Sequence, residues 1–392
     1  MIDFISFKFE PSPLMSFTLS LGNYAILLAI FYIAKQNKLI NNQLFILSII
    51  MLLSPFLMNG LLFPWTQLPD QTKYLAITNH IRQNLFSLEI FNFIISDLKL
   101  RLPGIFFGIS PLLTTENFQS IGFINRFFFI LTFIFLIKKK YLSLNLKLLI
   151  ILSPSLMVYS SVALRDNLIL LAMIWSVYFL MNKSYILLIL TVTFLFFVKV
   201  QNFLILIFFY WIFMTFTNHK YKKFKLFLKI LALGFIISCF YFSDQLLEIV
   251  DNLRYGLYAE HIGYENILAE PSYKSLTFDA NLILMLLKSN VSFLFSPIDQ
   301  LNSFFNIITF LEVIAIYFIM IKSFRDGLKI EKIKNLTRIW IVVFIGCISL
   351  YSLFIFNAGQ LSRYRIVLLF FVLIGYEIHK SYYIQKQKLK EI

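Results

Sequence analysis

Charge is scarce in this chain, and cysteine scarcer. Charged residues make up 14% of the sequence, and the two cysteines, Cys239 and Cys347, each lie inside an apolar run. That spacing suggests neither a disulfide framework nor a thiolate metal site. A phosphate-binding P-loop, a nucleophile elbow and a glycine-rich dinucleotide loop are all missing, which argues against ATP hydrolysis and Rossmann chemistry. No His/Asp/Glu spacing resembles a strong metal site. Period-two alternation with polar lumen positions is absent, so a transmembrane β-barrel is excluded. No internal repeat and no Gly/Ser-rich or Pro-rich linker divides the chain, which reads as one integral domain over residues 1–392. The N-terminal MIDFISFKFEPSP carries Asp3 and Glu10 where a signal peptide has a basic region, so the first apolar run is expected to stay in the mature protein.

What fills the sequence instead is apolar. Hydrophobic residues reach 59%, phenylalanine alone occurs 47 times, and the mean hydropathy is +0.79. A soluble domain does not carry that composition. A helix needs roughly 20 residues to cross a hydrocarbon core of about 30 Å. Apolar runs bounded by charge predict an all-α, polytopic bundle with helices near 14–34, 44–63, 118–137, 146–164, 167–182, 184–198, 202–217, 226–243, 303–321, 339–356 and 366–379. That is about eleven spans. The stretch 281–296 carries Lys288 and Asn290 centrally and reads as interfacial or re-entrant; if it crosses, the count is twelve.

Basic residues orient the bundle. Lys35 and Lys38, Lys138 to Lys140 with Lys147, the NHKYKKFK stretch, Lys322 to Arg338 and the tail after His379 fall on one side, which the positive-inside rule makes cytoplasmic. The long connections 64–117 and 244–302 then lie outside, where loops of such length carry function. The net charge of +15 reflects this topology, not nucleic-acid binding. Arginine breaks the trend. Of nine arginines, only Arg325 and Arg338 are cytoplasmic; Arg82, Arg101, Arg126, Arg165, Arg254, Arg363 and Arg365 lie at or near the outer side. Guanidinium forms planar, two-point bonds to phosphate or carboxylate, so these positions suggest anion recognition.

Three polar hinges share that side. At about 1.5 Å per residue the run 148–182 spans roughly 52 Å, less than two crossings, which places the hinge Arg165-Asp166-Asn167 at or slightly below the outer interface. FFVKVQNFLIL puts Lys199, Gln201 and Asn202 at a second hinge, and FNAGQLSRYRIVL puts Asn357, Gln360, Arg363, Tyr364 and Arg365 at a third. Ionisable groups at such depth are costly and point to function. Arg165 and Asp166 also suit a local salt bridge, with Asp166 at the positive end of the next helix. Arg363 and Arg365 diverge on a helix but share one side of an extended segment, which Gly359 permits. In the first outer loop Asp70, Tyr74, His80 and Arg82 form the obvious carboxylate-plus-histidine set, and Asp70 could instead simply cap a helix running to about residue 90. His80 and His261 are potential proton acceptors or ordinary surface residues.

The order PDQTKYL, INRFFF before KKK, PSLMVYSSVALRDN, VKVQNF, FLFSPID and AGQLSRYR resembles the Wzy-type and EpsG-like integral-membrane polysaccharide polymerases, over most of the chain. The resemblance implies an outward-facing, metal-independent glycosyltransferase of the bacterial inner membrane. It would polymerise undecaprenyl-pyrophosphate-linked oligosaccharide repeats into O-antigen, capsule or exopolysaccharide, without a cofactor. It also implies a chain-length regulator and a flippase of the same pathway as candidate partners beside membrane lipids. Arg165 and the Arg363/Arg365 pair become contacts to lipid pyrophosphate or acidic sugar, with Lys199, Gln201, Tyr74, Arg82 and Arg126 as further substrate contacts. Where EpsG-like members tend to show a histidine, this chain has Lys199-Val200-Gln201. Asp70, His80 and Asp166 are the candidate bases for the acceptor hydroxyl, Asp70 first because no arginine adjoins it to lower its basicity. Three alternatives stay open: a C-type-fold glycosyltransferase using polyprenyl-phosphate sugar, an O-antigen ligase using the same donor, and a flippase or transporter, for which midplane polar residues and repeat symmetry are expected.

Overall fold

Long apolar runs in a solvent without hydrogen-bond partners leave the backbone one economical solution, the helix. The computed structural model describes residues 13–58, 70–84, 89–108, 118–217, 280–295, 304–354 and 358–391, with a few isolated positions between them. Every regular element among them is helical. The expected span at 226–243, Arg254, His261, Asn357 and most of 244–302 lie outside the described residues.

Among the described residues, four helices are long and apolar enough to cross a membrane: Phe118–Lys138, Asn306–Lys329, Glu331–Ser352 and Arg363–Gln387. Leu144–Leu152 and Pro154–Ser161 make a fifth only if they are taken together across a bend of 59°. Asn42–Met58, Asp166–Met181, Tyr185–Val198 and Val200–Phe216 are apolar but shorter. The chain is therefore a helical membrane protein with several apolar helices, and a count of eleven spans does not follow from these elements. Part of the difference has a local cause. The runs expected at 44–63 and 146–164 are each broken by a serine-proline pair, Ser54-Pro55 and Ser153-Pro154. Pro154 lacks an N–H, and the Ser153 hydroxyl caps the new helix by accepting from the amide of Leu156 at 3.1 Å.

The chain divides into two compact units, residues 1–202 with 377–392, and residues 203–376. The first contains α1 (Pro13–Gln36), α2 (Asn42–Leu52), α3 (Ser54–Met58), α4 (Asp70–Gln83), α5 (Glu89–Ser96), α6 (Leu98–Gly108), α7 (Phe118–Lys138), α8 (Leu144–Leu152), α9 (Pro154–Ser161), α10 (Asp166–Met181) and α11 (Tyr185–Val198). Helix α12 (Val200–Thr217) begins at its boundary. At its centre stands α7, packed against α1, α2, α9 and α10. The rings of Tyr24, Phe56 and Phe123 join α1, α3 and α7, with Phe56 and Phe123 edge to face at 4.7 Å.

Three turns of this unit end in the same way. After α1, α7 and α10 a lysine takes the left-handed conformation, with φ of 57° at Lys38, 58° at Lys140 and 59° at Lys183. Each closes a Schellman motif, the following amide reaching back five residues: Leu39 to Ala34, Tyr141 to Leu136, Ser184 to Phe179, at 2.9, 3.0 and 3.0 Å. Glycine suits that backbone better. Lysine there is consistent with charge that sets orientation taking precedence over backbone comfort. Two basic segments assigned by sequence to one face do meet: Lys139 and Tyr141 offer carbonyls to Gln385 at 3.2 Å and Ser381 at 3.4 Å.

The described residues of the expected outer loop 64–117 are largely helical. Helices α4 and α6 run in the same direction, Gly104 meeting Ile77 and Gly108 meeting Ile81; α5 packs on α6, and the group leans on α7 through α4 and α6 and on α11 through α6. Ile77, Ile81 and Ile90 form its core, flanked by Phe93, Ile94, Leu100 and Ile105. Close approach is made possible by Gly104 and Gly108, spaced one helical turn apart. A methyl group at Gly104 would overlap the Ile77 side chain, and one at Gly108 would lie 2.6 Å from Cγ2 of Ile81. Small residues at this spacing let helix backbones meet. Gly108→Val should destabilise the protein by about 1–3 kcal/mol through overpacking, read as a lowered thermal midpoint in detergent, while a substitution at exposed Phe91 leaves it unchanged.

The second unit contains α13 (Ala280–Phe295), α14 (Phe304–Lys329), α15 (Glu331–Phe354) and most of α16 (Ala358–Glu391). Helix α15 packs against α13 and α14. Its antiparallel pairing with α14 is fixed at Gly327, where a Cβ would lie 2.5 Å from Oγ1 of Thr337. Trp340, fully buried, lies against Gly375 of α16 and the ring of Phe209.

Candidate functional site

The segment between α9 and α10 is not helical, yet Val162, Ala163 and Leu164 are completely buried. Backbone groups in that position must find partners inside the protein. Asn125 on α7 supplies two of them: its Nδ2 donates to the carbonyl of Val162 at 2.7 Å and to that of Leu164 at 2.6 Å. Gln71, in the first turn of α4, accepts the amide of Ala163 at 3.0 Å. Asn167 ties the start of α10 back to α7, donating to the carbonyl of Asn125 at 2.9 Å.

The next residue of α7 repairs another break. Arg126 is buried, and its Nε donates to the Met51 carbonyl at the end of α2 at 2.9 Å, while Nη1 donates to the Ser160 hydroxyl of α9. Ser54 bridges the same pair of breaks through Ser161 at 2.7 Å. Arg126, expected among the substrate contacts, thus spends its guanidinium on two interrupted helices. Asn125 lies seven residues from the Phe118 end of α7, about 10 Å along the axis, and about 20 Å from the Lys138 end. The turn it holds therefore sits within that helix's length, nearer its Phe118 end.

Arg165 closes the turn. It is partly exposed, and its Nη1 donates to the carbonyl of Lys99 in α6 at 2.9 Å and to that of Val198, the last residue of α11, at 3.2 Å. These carbonyls, not the neighbouring carboxylate, orient the guanidinium. Among the described residues both of its hydrogen bonds leave from one nitrogen, so the Nε and Nη2 edge faces outward from the anchor. Asp166 is 2% exposed and occupies the first position of α10, where the helix N-terminus stabilises a carboxylate. Lys199 follows Val198 directly, is 9% exposed and adopts an extended backbone that breaks α11 from α12. Asn202 then donates to the sulfur of Met173 at 3.0 Å. The first two hinges inferred from sequence, Arg165 and Lys199, meet at one point; Gln201, partly exposed, lies just beyond it.

The candidates of α4 separate. Asp70 opens the helix, which ends at Gln83, and pairs with Lys73 at 3.4 Å; Gln71 beside it places Asp70 next to the buried turn. Tyr74 is buried against the edge of Phe107 at 6.1 Å. His80 lies ten residues from Asp70, about 15 Å along the axis, with its ring 4.1 Å from Phe93. Arg101 covers the same Phe93 ring at 3.9 Å. Arg82 donates to the Gly108 carbonyl at 3.2 Å, and burial pushes its pKa below the usual guanidinium value. Asp70 and His80 therefore do not form one carboxylate-histidine set.

In the other unit the third hinge is helical from Ala358 onward. Two residues apart on a helix, Arg363 and Arg365 point about 200° from each other. Arg363 is partly exposed, whereas Arg365 is fully buried and donates to the carbonyls of Phe293 at 3.1 Å and Leu294 at 3.4 Å. They do not present one anion grip, because the extended approach that Gly359 permits is not taken. Among the described residues no group of three or more His, Cys, Asp or Glu side chains is placed to hold a metal ion.

No protein-family model matches the chain, and neither a curated protein nor a solved structure is significantly similar to it. Sequence reading missed Asn125 and Gln71. Their signal was present: an amide between apolar residues in a span, and another directly after the Pro-Asp that opens α4. Asn125→Leu should orphan two buried carbonyls at about 1–3 kcal/mol each, seen as lower yield of folded protein and a reduced thermal midpoint, with Asn125→Gln recovering part of the loss.

Proposed function

We propose that this chain is a multi-pass membrane glycosyltransferase that joins lipid-pyrophosphate-linked oligosaccharide repeats at the outer face of a bacterial cytoplasmic membrane. The observation that carries the reading is Arg165. Its guanidinium is fixed on one side by two backbone carbonyls, turns its free edge outward and has Lys199 beside its anchor. A planar fork with one edge anchored and one edge open suits two oxygens of a phosphate group. The reaction such a site serves needs no nucleotide. The acceptor hydroxyl attacks the anomeric carbon, the bond from that carbon to the pyrophosphate oxygen breaks, and the electron pair leaves with the lipid pyrophosphate. Arg165 and Lys199 then stabilise charge that grows in the transition state. The hydroxyl proton goes to a carboxylate, for which Asp70 is the candidate: it is partly exposed and adjoins the residue that holds the turn. Asp166 and Lys199, each nearly buried, serve the same point electrostatically.

The test is the surface glycan of a deletion strain complemented with variants. Loss of the protein should leave single repeats; free unattached polymer would instead identify a ligase, and complete loss of glycan an earlier transferase. Arg165→Lys keeps the charge and removes the fork, and should insert at wild-type level yet shorten the glycan ladder at least tenfold in mean chain length. A full ladder from that variant rejects the phosphate grip. Asp70→Asn should lower polymer yield by two to three orders of magnitude at normal membrane levels, and wild-type yield would assign Asp70 to helix capping alone.

A further inference from the structure

Helix α5 has three sides where a helix in water has two. At about 100° per residue, Phe91 and Ile95 share one side, Glu89, Asn92 and Ser96 occupy the next, and Ile90, Phe93 and Ile94 turn to the core of the 70–108 group. The first side is apolar yet exposed, Phe91 at 63% and Ile95 at 67%, and Phe86, just before the helix, adds a fully exposed ring. The polar side beside it is exposed throughout. The phase of the helix is fixed. Arg101 of α6 lies over the Phe93 ring at 3.9 Å and donates to the Phe93 carbonyl and the Ser96 hydroxyl, so α5 does not roll its apolar side inward. A second apolar side next to a polar one is the pattern of a helix lying in a membrane interface.

The neighbours of α5 belong to the apolar layer. Helix α6 runs back along α11: the Lys99 and Val198 carbonyls meet at Arg165, and seven residues on, Phe106 meets Phe194 of α11 at 5.2 Å. Phe106 also reaches Phe128, at the midpoint of the membrane-length helix α7, edge to face at 6.5 Å. Helix α11 exposes Ile186, Ile189, Leu190 and Phe197, and its Thr191 hydroxyl is spent on the carbonyls of Leu187 and Leu188. Such a surface suits lipid and not water. Phe106, itself exposed, carries that surface onto α6, against which α5 packs. The junction of α5 and α6 has the opposite character. Asp97 accepts the Leu100 amide at 3.2 Å, and Lys99 and Arg101 follow it at alternate positions, beside Arg165.

We propose that α5 is an in-plane membrane helix. Phe91 and Ile95, with Phe86 before them, lie among the acyl chains of one leaflet, while Glu89, Asn92 and Ser96 face the water. The occupant of the apolar side is the bilayer itself, because that side adjoins the lipid-suited surface of α11 and α6, and because the charged junction at its end fits the phosphate layer of a leaflet. The 70–108 group is then seated in the membrane and does not hang in water as a loop, and Lys99, whose carbonyl holds Arg165, lies at the depth of lipid phosphates. The inference holds whatever reaction the chain performs.

The experiment places an environment-sensitive fluorophore on single added cysteines in full-length protein, reconstituted in vesicles of phosphatidylethanolamine and phosphatidylglycerol; protein without an added cysteine sets the labelling background. Probes at Phe91→Cys and Ile95→Cys should be quenched at least threefold more by a lipid carrying a nitroxide near the top of its acyl chain than by iodide present on both sides of the membrane. Probes at Glu89→Cys and Asn92→Cys, on the same helix, should show the reverse. Iodide that reaches positions 91 and 95 as freely as 92 places that side in water and overturns the proposal. Quenching by neither agent shows that protein, from this chain or a second copy, covers it, and also overturns the proposal. A polyprenyl phosphate added at a small mole fraction should leave the nitroxide quenching unchanged; a saturable loss would assign the side to that lipid and not to the bilayer.

Discussion

A broken helix inside an apolar bundle leaves amides and carbonyls that lipid cannot satisfy, and the first unit of this protein is organised around meeting that demand. Two successive residues of α7 do most of it. Asn125 holds the carbonyls of Val162 and Leu164, and Arg126 holds the end of α2 and the hydroxyl of Ser160. Gln71 completes the set from α4. Each orphaned group costs a large fraction of a protein's net stability. The polar residues of these segments are therefore structural before they are chemical, and their placement explains why α7 sits at the centre of its unit.

The same demand builds the candidate site. The backbone between α9 and α10 is held without helical hydrogen bonds, and Arg165, at the N-cap of α10, reaches α6 and α11 at once. Helix α11 stops at Val198 with its last carbonyls unspent, and Arg165 takes one of them. A cation at a helix C-terminus is also favoured by the helix dipole. The result is a guanidinium with fixed direction at low entropic cost on binding, the preorganisation on which phosphate recognition depends. The second unit applies the same device: Arg365 donates to carbonyls in the last turn of α13.

Arginine therefore has two uses here that are indistinguishable by residue type. Arg126 and Arg365 are turned inward and donate to buried carbonyls, Arg126 also to the Ser160 hydroxyl, while Arg165 and Arg363 keep part of their surface. Placement against the positive-inside trend marked all four, because both uses require a polar group where lipid is near. Only the inventory of hydrogen-bond partners tells them apart.

Composition and the apolar runs by themselves determined that this is a helical membrane protein, and the sequence placed helices at 118–137, 167–182, 184–198 and 202–217 close to their observed bounds, since an uninterrupted apolar run has no other stable conformation in lipid. The polar hinges at 165–167 and 199–202 were legible for the same reason: nothing apolar explains them. Their meeting was not legible, because it depends on which carbonyls the breaks leave exposed to one another, across separations of 33 and 66 residues. The helical group at 70–108 was hidden by its modest hydropathy, since its core comes from three short helices that no single window displays. The two arginines of RYR could be read as neighbours or as opposites until the backbone at 358 was known to be helical. Tertiary structure alone decided that one of them lies inside and the other near the surface, because side-chain direction on a helix is set by its phase against its neighbours, and a sequence of two residues carries no phase.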